Sequence, residues 1–235
     1  MPNSALKKAL EPIARASVTD AIFDELHRQI VALELPPGTK MSEADVAEIM
    51  GVSRQPVRDA FYRLSVLGFL TIRPQRATVV SAISEKAVMQ ARFIRAAIEA
   101  ETVRVACERL TSDDIRVLDR VLEDQARAVE ARDAQRFHDL DDQFHREICV
   151  RSGHGYAWDI IRENKSHMDR VRLLSLSFAS TDAYSDHLRV AEAIRKRDPA
   201  LAMAEMHRHL IRIKTQIRRI RTEHEPYFEG EPCFD

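Results

Sequence analysis

From Ser81 almost to the C-terminus the sequence carries helical patterns and no strand signals. Apolar residues recur there every three or four positions, the spacing that gathers them on one face of a helix. The pattern breaks near residues 109–112, 132–133, 152–155, 179–182 and 197–199. Six helices of roughly 15 to 25 residues, joined by short turns, follow from those breaks. No internal repeat of solenoid length is visible, so a helical bundle is expected. The tail "EPYFEGEPCFD" reads as irregular.

The first eighty residues differ. Ile22, Leu26, Ile30 and Leu33 form one apolar stripe over Val18 to Leu33, a helix that "LPPGTK" ends. A short second helix runs from Ser42 to Met50, with Ser42 as N-cap and Asp45 in the first turn, where acids are favourable. Gly51 and Val52 make a tight turn, and Ser53 caps a third helix, "SRQPVRDAFYRL". Pro56 lies in its first turn and removes no intrahelical hydrogen bond. Helix, glycine turn, helix is a helix-turn-helix signature, with Val46, Ile49, Val52, Val57, Phe61 and Leu64 as its small core. Arg54, Gln55 and Arg58 are left at the N-terminal end of the third helix, where a recognition helix reaches base edges. In "LGFLTIRPQRATVV" the alternation of Leu70, Ile72, Val79 and Val80 suggests two strands around a basic turn, a wing carrying Arg73 and Arg76. The expected fold is mainly α: a winged helix-turn-helix over residues 1–83 and an all-α antiparallel bundle over 84–235.

Charge limits the partners. A formal net charge of -1 excludes nucleic-acid binding through overall charge, but not through a local patch. Residues 51–80 hold five arginines, at 54, 58, 63, 73 and 76, against the single acid Asp59, a local balance of +4 and a candidate phosphate-binding face. The alternative is a solvated helix with scattered arginines. The stretch "MPNSALKKALEPIARAS" has no apolar core and does not read as a secretory signal. Nowhere do about 18 apolar residues run together, so no membrane span is expected. Cys107, Cys149 and Cys233 are far apart and form no CxxC, which fits reduced thiols in a cytoplasmic protein.

"DLDDQFHREI" places Asp141 and His145 one turn apart on the same side of a helix. His187 shares a face with Ala191 and Ile194, and His209 lies between Met206 and Ile213 on an inward side. His207 sits two positions earlier, about 200° round the helix, and should face elsewhere. One carboxylate and three imidazoles from three helices then converge inside the bundle. A single inward histidine is more often a hydrogen-bonded core residue than a ligand. Four such groups change that balance, because a buried acid needs a compensating cation. Oxygen and imidazole ligands suit Zn²⁺, Mn²⁺, Ni²⁺ or Fe²⁺. Cys149, one turn after His145, is a further possible ligand.

"LPPGTKMSEADVAEIMGVSRQPVRDAFYRLSVLGFL" resembles the winged helix-turn-helix of the GntR superfamily of bacterial repressors. The resemblance implies that Arg54 and Arg58 are recognition-helix arginines and that Ser42 and Ser53 are hydroxyls facing phosphates. Ala44 stands where some members carry a base-contacting arginine, and "QRATVV" replaces the usual Gly-rich wing tip. The segment from about 84 to 225 is similar to the ligand-binding (FCD) domain of FadR-type members. Its motifs fall on "LDDQFH" and "DHLRVAEAIRKRDPALAMAEMHRHL". That likeness implies metal ligands at Asp141, His145, His187 and His209. "FIRAAIE" is similar to the first bundle helix, with Arg95 and Glu99 at its effector-facing positions; Arg172 or Arg170 would add positive charge. One departure is "SGHGY", with His154 where many members have Asn.

The leading expectation is a homodimeric transcription regulator, a repressor of an inverted-repeat DNA operator, controlled by a small carboxylate effector at the metal. The rival is a metal-dependent enzyme with an appended DNA-binding domain, for which Glu99 is the only inward acid that could serve as a base. A third reading is a structural bundle with a filled metal site and no effector response.

Overall fold

The computed structural model describes residues 17–73 and 76–230. Residues 1–16 of the N-terminal stretch, the wing residues Pro74 and Gln75, and Cys233 lie outside the described residues. Two compact units divide the chain. One takes the chain up to Ile30 together with Gly38–Ser81; the other takes Val31–Pro37 and the chain from Ala82 onward.

In the first unit α1 spans Val18–Val31, α2 Glu43–Met50 and α3 Arg54–Val66. Helix α1 buries Ile22, Leu26 and Ile30 and is opened by Ser17, whose hydroxyl accepts from the Asp20 amide. It stops before Leu33, which the sequence reading had included; that residue has a φ of 60°, outside helical geometry. Ser42 caps α2 by accepting from the Asp45 amide at 3.0 Å, as the sequence suggests. Gly51 closes α2 at a φ of 66°, a conformation glycine adopts without penalty. Ser53 stands at the N-cap of α3 but makes no side-chain capping bond.

The expected core is corrected at one position. Ile49 is 83% exposed, and Ala47 is the buried residue of α2, while α3 buries Val57, Ala60, Phe61 and Leu64. A helix of eight residues holds only two turns, so the smallest apolar side chain can face the partner helix at close range. The wing has strands β2 (Leu70–Thr71) and β3 (Thr78–Val80), and a third strand, β1 (Lys40–Met41), completes an antiparallel sheet of order β1-β3-β2. Two residues of β1 carry no readable alternation. Ile72 lies beyond β2, exposed.

The second unit is a bundle of seven helices among the described residues: α4 (Glu85–Arg109), α5 (Ser112–Glu130), α6 (Ala134–Arg151), α7 (Gly155–Asn164), α8 (Ser166–Arg195), α9 (Pro199–Ile211) and α10 (Ile213–Glu223). The expected break at Ala179–Asp182 does not occur. That stretch has no Gly or Pro, and Ser185 answers the Thr181 carbonyl without leaving the helix. Breaks fall instead at Lys165 and Arg212, both still in right-handed helical geometry, so no turn residue marks them.

Two turns repeat one device. Arg132 (φ 54°) ends α5 and Asp133 caps α6; Arg197 (φ 56°) ends the α8 turn and Asp198 caps α9 ahead of Pro199. Arg197 also donates to the Cys107 and Leu110 carbonyls, tying the end of α4 to this turn. Glu225–Tyr227 form a 3-10 turn, and Phe228 then pairs with Ile83, so that part of the tail is not irregular.

Helix α4 packs against α6, α7, α8 and α9. Phe144 of α6 is fully buried in the central cluster and stacks on His187 with ring centroids 4.4 Å apart. Truncating a buried phenylalanine typically costs about 3–5 kcal/mol. Phe144 fixes the spacing of α6 and α8, and with it the site between them.

Candidate DNA-contacting surface and metal centre

In the first unit Arg54, Gln55, Arg58, Arg73 and Arg76 are exposed, as is Ser53; Ser42 is half-buried. The local charge is smaller than the count of +4 implies. Arg58 pairs with Glu43 at 3.1 Å and Arg63 with Asp20 at 2.7 Å, both acids lying outside the 51–80 window. Arg63 also lies 4.1 Å over the Phe23 ring, so it braces α3 against α1. Gln55 donates to Asp59 one turn on. Arg54, Arg58, Arg73 and Arg76 remain accessible to a phosphate or a base edge. Sequence reasoning missed Glu43 because periodicity says nothing about which side chains of two adjacent helices meet.

In the bundle Asp141, His145, His187 and His209 come together, each offering a ligand atom within 4.8 Å of the others. Asp141, His145 and His187 are 0–1% exposed and the His209 side chain 10%. Ring centroids of His145, His187 and His209 lie 4.6 to 5.2 Å apart. His207 is exposed and bonds the Met203 carbonyl, turned away as its helical angle predicts. Cys149 packs instead with Trp158 and Ile161, where burial pushes its thiol up to about 12.

Each imidazole has an acceptor behind its Nδ1. His145 Nδ1 lies 2.5 Å from Glu99 Oε2, His187 Nδ1 is 2.9 Å from Gln125 Oε1, and His209 Nδ1 is 3.6 Å from Asp186 Oδ2. Gln125 is itself held by donating to the Leu140 carbonyl at 2.9 Å. The Gln125 contact favours the proton on His187 Nδ1 and leaves its Nε2 free as a ligand atom. His145 Nε2 and His187 Nε2 then face Asp141 at 3.7 and 3.5 Å. Among the described residues, both nitrogens of His145, His187 Nε2, His209 Nδ1 and both Asp141 oxygens are buried without a hydrogen-bond partner. Burial holds His187 and His209 below the ordinary histidine range, so both stay neutral. Burial alone would push Asp141 up, but the Arg172 guanidinium beside it outweighs that and holds the carboxyl ionised. Three imidazoles and one carboxylate, with His187 held by Gln125 and Asp141 by Arg172, fit a divalent cation.

One physical step in the sequence reading was incomplete. Asp141 is not without a cation, because Arg172 pairs with its Oδ2. Arg172 also reaches Asp142 and Asp169, and Lys165 lies buried 2.8 and 2.5 Å from those two acids. His138, Asp142 and Asp169 form a second acidic cluster, with the Lys165 ammonium as its internal counter-ion.

A small pocket, open to solvent, adjoins the site. Asp141, His209, Arg172, Arg212, Ser175 and Gln216 supply its polar lining, and Phe137, Leu176, Leu210 and Ile213 are among its apolar walls. Arg95 and Glu99 do not line it. They pair with each other at 2.5 Å, both 1% exposed, and act on the site through His145. Arg170 is buried and absent from the lining, and burial lowers it to about 10. Arg212 was missed in the sequence because it marks a helix break that no Gly or Pro announces. Replacing Gln125 by leucine should weaken zinc or manganese binding roughly 10- to 100-fold with the fold intact; unchanged titration calorimetry would show that Gln125 does not support the site.

A winged helix-turn-helix followed by a helical bundle has the architecture of a DNA-binding regulator. The family comparisons agree. Residues 18–80 match the model of bacterial regulatory proteins, gntR family, and residues 90–212 match the FCD domain. The chain is 37% identical over 216 residues to the HTH-type transcriptional repressor RspR of Escherichia coli K12, covering 91% of this chain and 95% of that one. Among solved structures it resembles E. coli McbR/YncC, with a TM-score of 0.69 at 21% identity over 89% of this chain and all of that one. A GntR regulator from Rhodococcus sp. RHA1 gives 0.67 at 18% identity, over 87% and 99% of the two chains. The chain belongs to the gntR family of bacterial regulatory proteins and carries that family's FCD domain. The matched families and relatives are transcription regulators, which sets the metal-enzyme alternative aside. No helix among the described residues is long and apolar enough to cross a membrane.

Proposed function

We propose that the chain is a repressor whose affinity for a double-stranded DNA operator is set by a small carboxylate-bearing effector at the metal site of the bundle. The observation that carries this reading is the meeting of Asp141, His145, His187 and His209 at the edge of a solvent-open cavity lined by Arg172. Those four side chains would hold a divalent ion: zinc, manganese, nickel or iron. When bound, such an ion supplies positive charge and open coordination positions for a carboxylate. Glu99, locked by Arg95, orients His145, and Arg172 offers a forked guanidinium to an anion entering the cavity. Arg212 faces the same space. The apolar walls keep bulk water from competing with those contacts.

On the DNA side, Arg54, Gln55 and Arg58 would meet base edges, and Ser42, Ser53, Arg73 and Arg76 would meet phosphates. The name of the E. coli relative, a repressor, supports the sign of the response. A panel of small organic acids tests the reading by thermal shift, gel shift and turnover. An acid that stabilises the metal-loaded protein, shifts it on DNA and is recovered unchanged supports it. A panel that stabilises nothing argues for a purely structural bundle.

The chain should act as a homodimer on an inverted repeat, since one small helix-turn-helix buries too little surface for tight specific binding. Light scattering should give twice the chain mass at micromolar concentration. A monomer bound one-to-one to DNA would contradict it.

A further inference from the structure

Glu43 and Arg58 join the two helices of the DNA-contacting motif. Glu43 is the first residue of α2, just after the Ser42 cap, so its carboxylate starts from a fixed point. Arg58 Nε lies 3.3 and 3.1 Å from the two Glu43 oxygens, and Nη2 lies 3.1 Å from the second. A guanidinium is a planar fork with five N–H donors. Glu43 occupies the edge made by Nε and Nη2. Nη1 makes no contact with Glu43, and the side chain is 61% exposed, which leaves the edge made by Nη1 and Nη2 accessible. That edge is the one a guanine O6 and N7 can accept from.

An acid here is otherwise a liability. It repels phosphates on the surface that should approach them. The dipole of α2 does not demand it, because Asp45 already stands in the same first turn. Arg54, one turn earlier on the same face of α3, has no ion pair or hydrogen bond among the described residues. The motif therefore has one aimed fork and one unrestrained cation.

We infer that Glu43 is a specificity-determining positioning residue: its carboxylate aims Arg58 at a base edge and keeps it off phosphates. The inference rests on the reading of Arg58 as a DNA contact. Two effects follow from the pair. The reading edge is set before DNA arrives, so less side-chain freedom is lost on contact. A non-specific duplex gains less from Arg58, because that charge is already answered. Both effects widen the gap between the operator and other DNA.

The test begins with duplexes selected by the wild-type protein from a randomised pool. Affinity for the selected duplex, for its single-base variants and for a scrambled duplex of equal length is then measured for wild type, Glu43→Gln, Arg58→Ala and the double variant. Glu43→Gln should reduce the preference at the base read by Arg58 by about tenfold, with no loss of affinity for the scrambled duplex and an unchanged unfolding midpoint. In the Arg58→Ala background the same change should alter the preference no further. If Arg58→Ala loses the preference while Glu43→Gln keeps it, the role of Glu43 is overturned and the Arg58 contact stands. If Arg58→Ala also keeps it, the underlying DNA reading fails. A lower midpoint with an unchanged preference makes the pair a structural contact only, which also overturns the inference.

Discussion

Metal analysis of the purified protein is expected to return about one divalent ion per chain, lost in Asp141→Ala and His209→Ala but kept in His207→Ala. His209 and His207 are two residues apart on one helix. One faces two other imidazoles at ring distances of 4.6 and 5.2 Å, and the other bonds a carbonyl of its own helix at the surface. Losing one of four ligands should weaken binding by more than the roughly 10- to 100-fold seen when only a supporting partner is removed. Chelation of the wild type should lower its unfolding midpoint, because an ion bound only by the native state stabilises that state by mass action. Asp141→Ala leaves Arg172 with Asp142 and Asp169 as partners, so its fold should survive and the loss of metal can be read directly. Equal metal content in all four proteins would sink the assignment. Loss in His207→Ala alone would mean that the inward face of α9 is misplaced.

The second large effect is expected in the other unit. Arg58→Ala should abolish selective operator binding while leaving thermal unfolding unchanged. One bidentate base contact gives roughly 1–3 kcal/mol of discrimination, and a dimer makes it twice. Arg54→Ala should act in the same direction, as a second base-edge contact of the same helix. Unchanged gel-shift affinity in both variants would remove α3 from the recognition role.

Much of this was legible before any coordinates. The alternation around Leu70 and Val79, the glycine turn at Gly51 and the Ser42 cap sufficed for the winged motif, because each is a local rule of backbone chemistry. The i,i+4 spacing of Asp141 and His145 and the angle between His207 and His209 are helix geometry, and they survive any packing. Unread features depend on tertiary contact or lack a marker residue. Glu43 meeting Arg58, Gln125 meeting His187 and Arg172 meeting Asp141 join side chains 15, 62 and 31 positions apart. The bends at Lys165 and Arg212 keep helical backbone angles, so no Gly or Pro betrays them. Ile49 was misread because α2 is too short for its periodicity to select one face.

The uninterrupted α8 has a consequence for how such a regulator can change. One rod of 30 residues carries Arg172, Ser175, Leu176, Ala179 and Ala183 along the cavity wall and His187 at its far end. At 1.5 Å per residue the wall precedes the histidine by roughly 6 to 22 Å of stiff helix. Substitutions at Ser175, Leu176, Ala179 and Ala183 alter the shape offered to a ligand without replacing a side chain that holds or pairs with the metal-site residues. On the proposed effector reading, selection for a new ligand can therefore proceed one residue at a time on a single face, with the four metal-site side chains unchanged throughout.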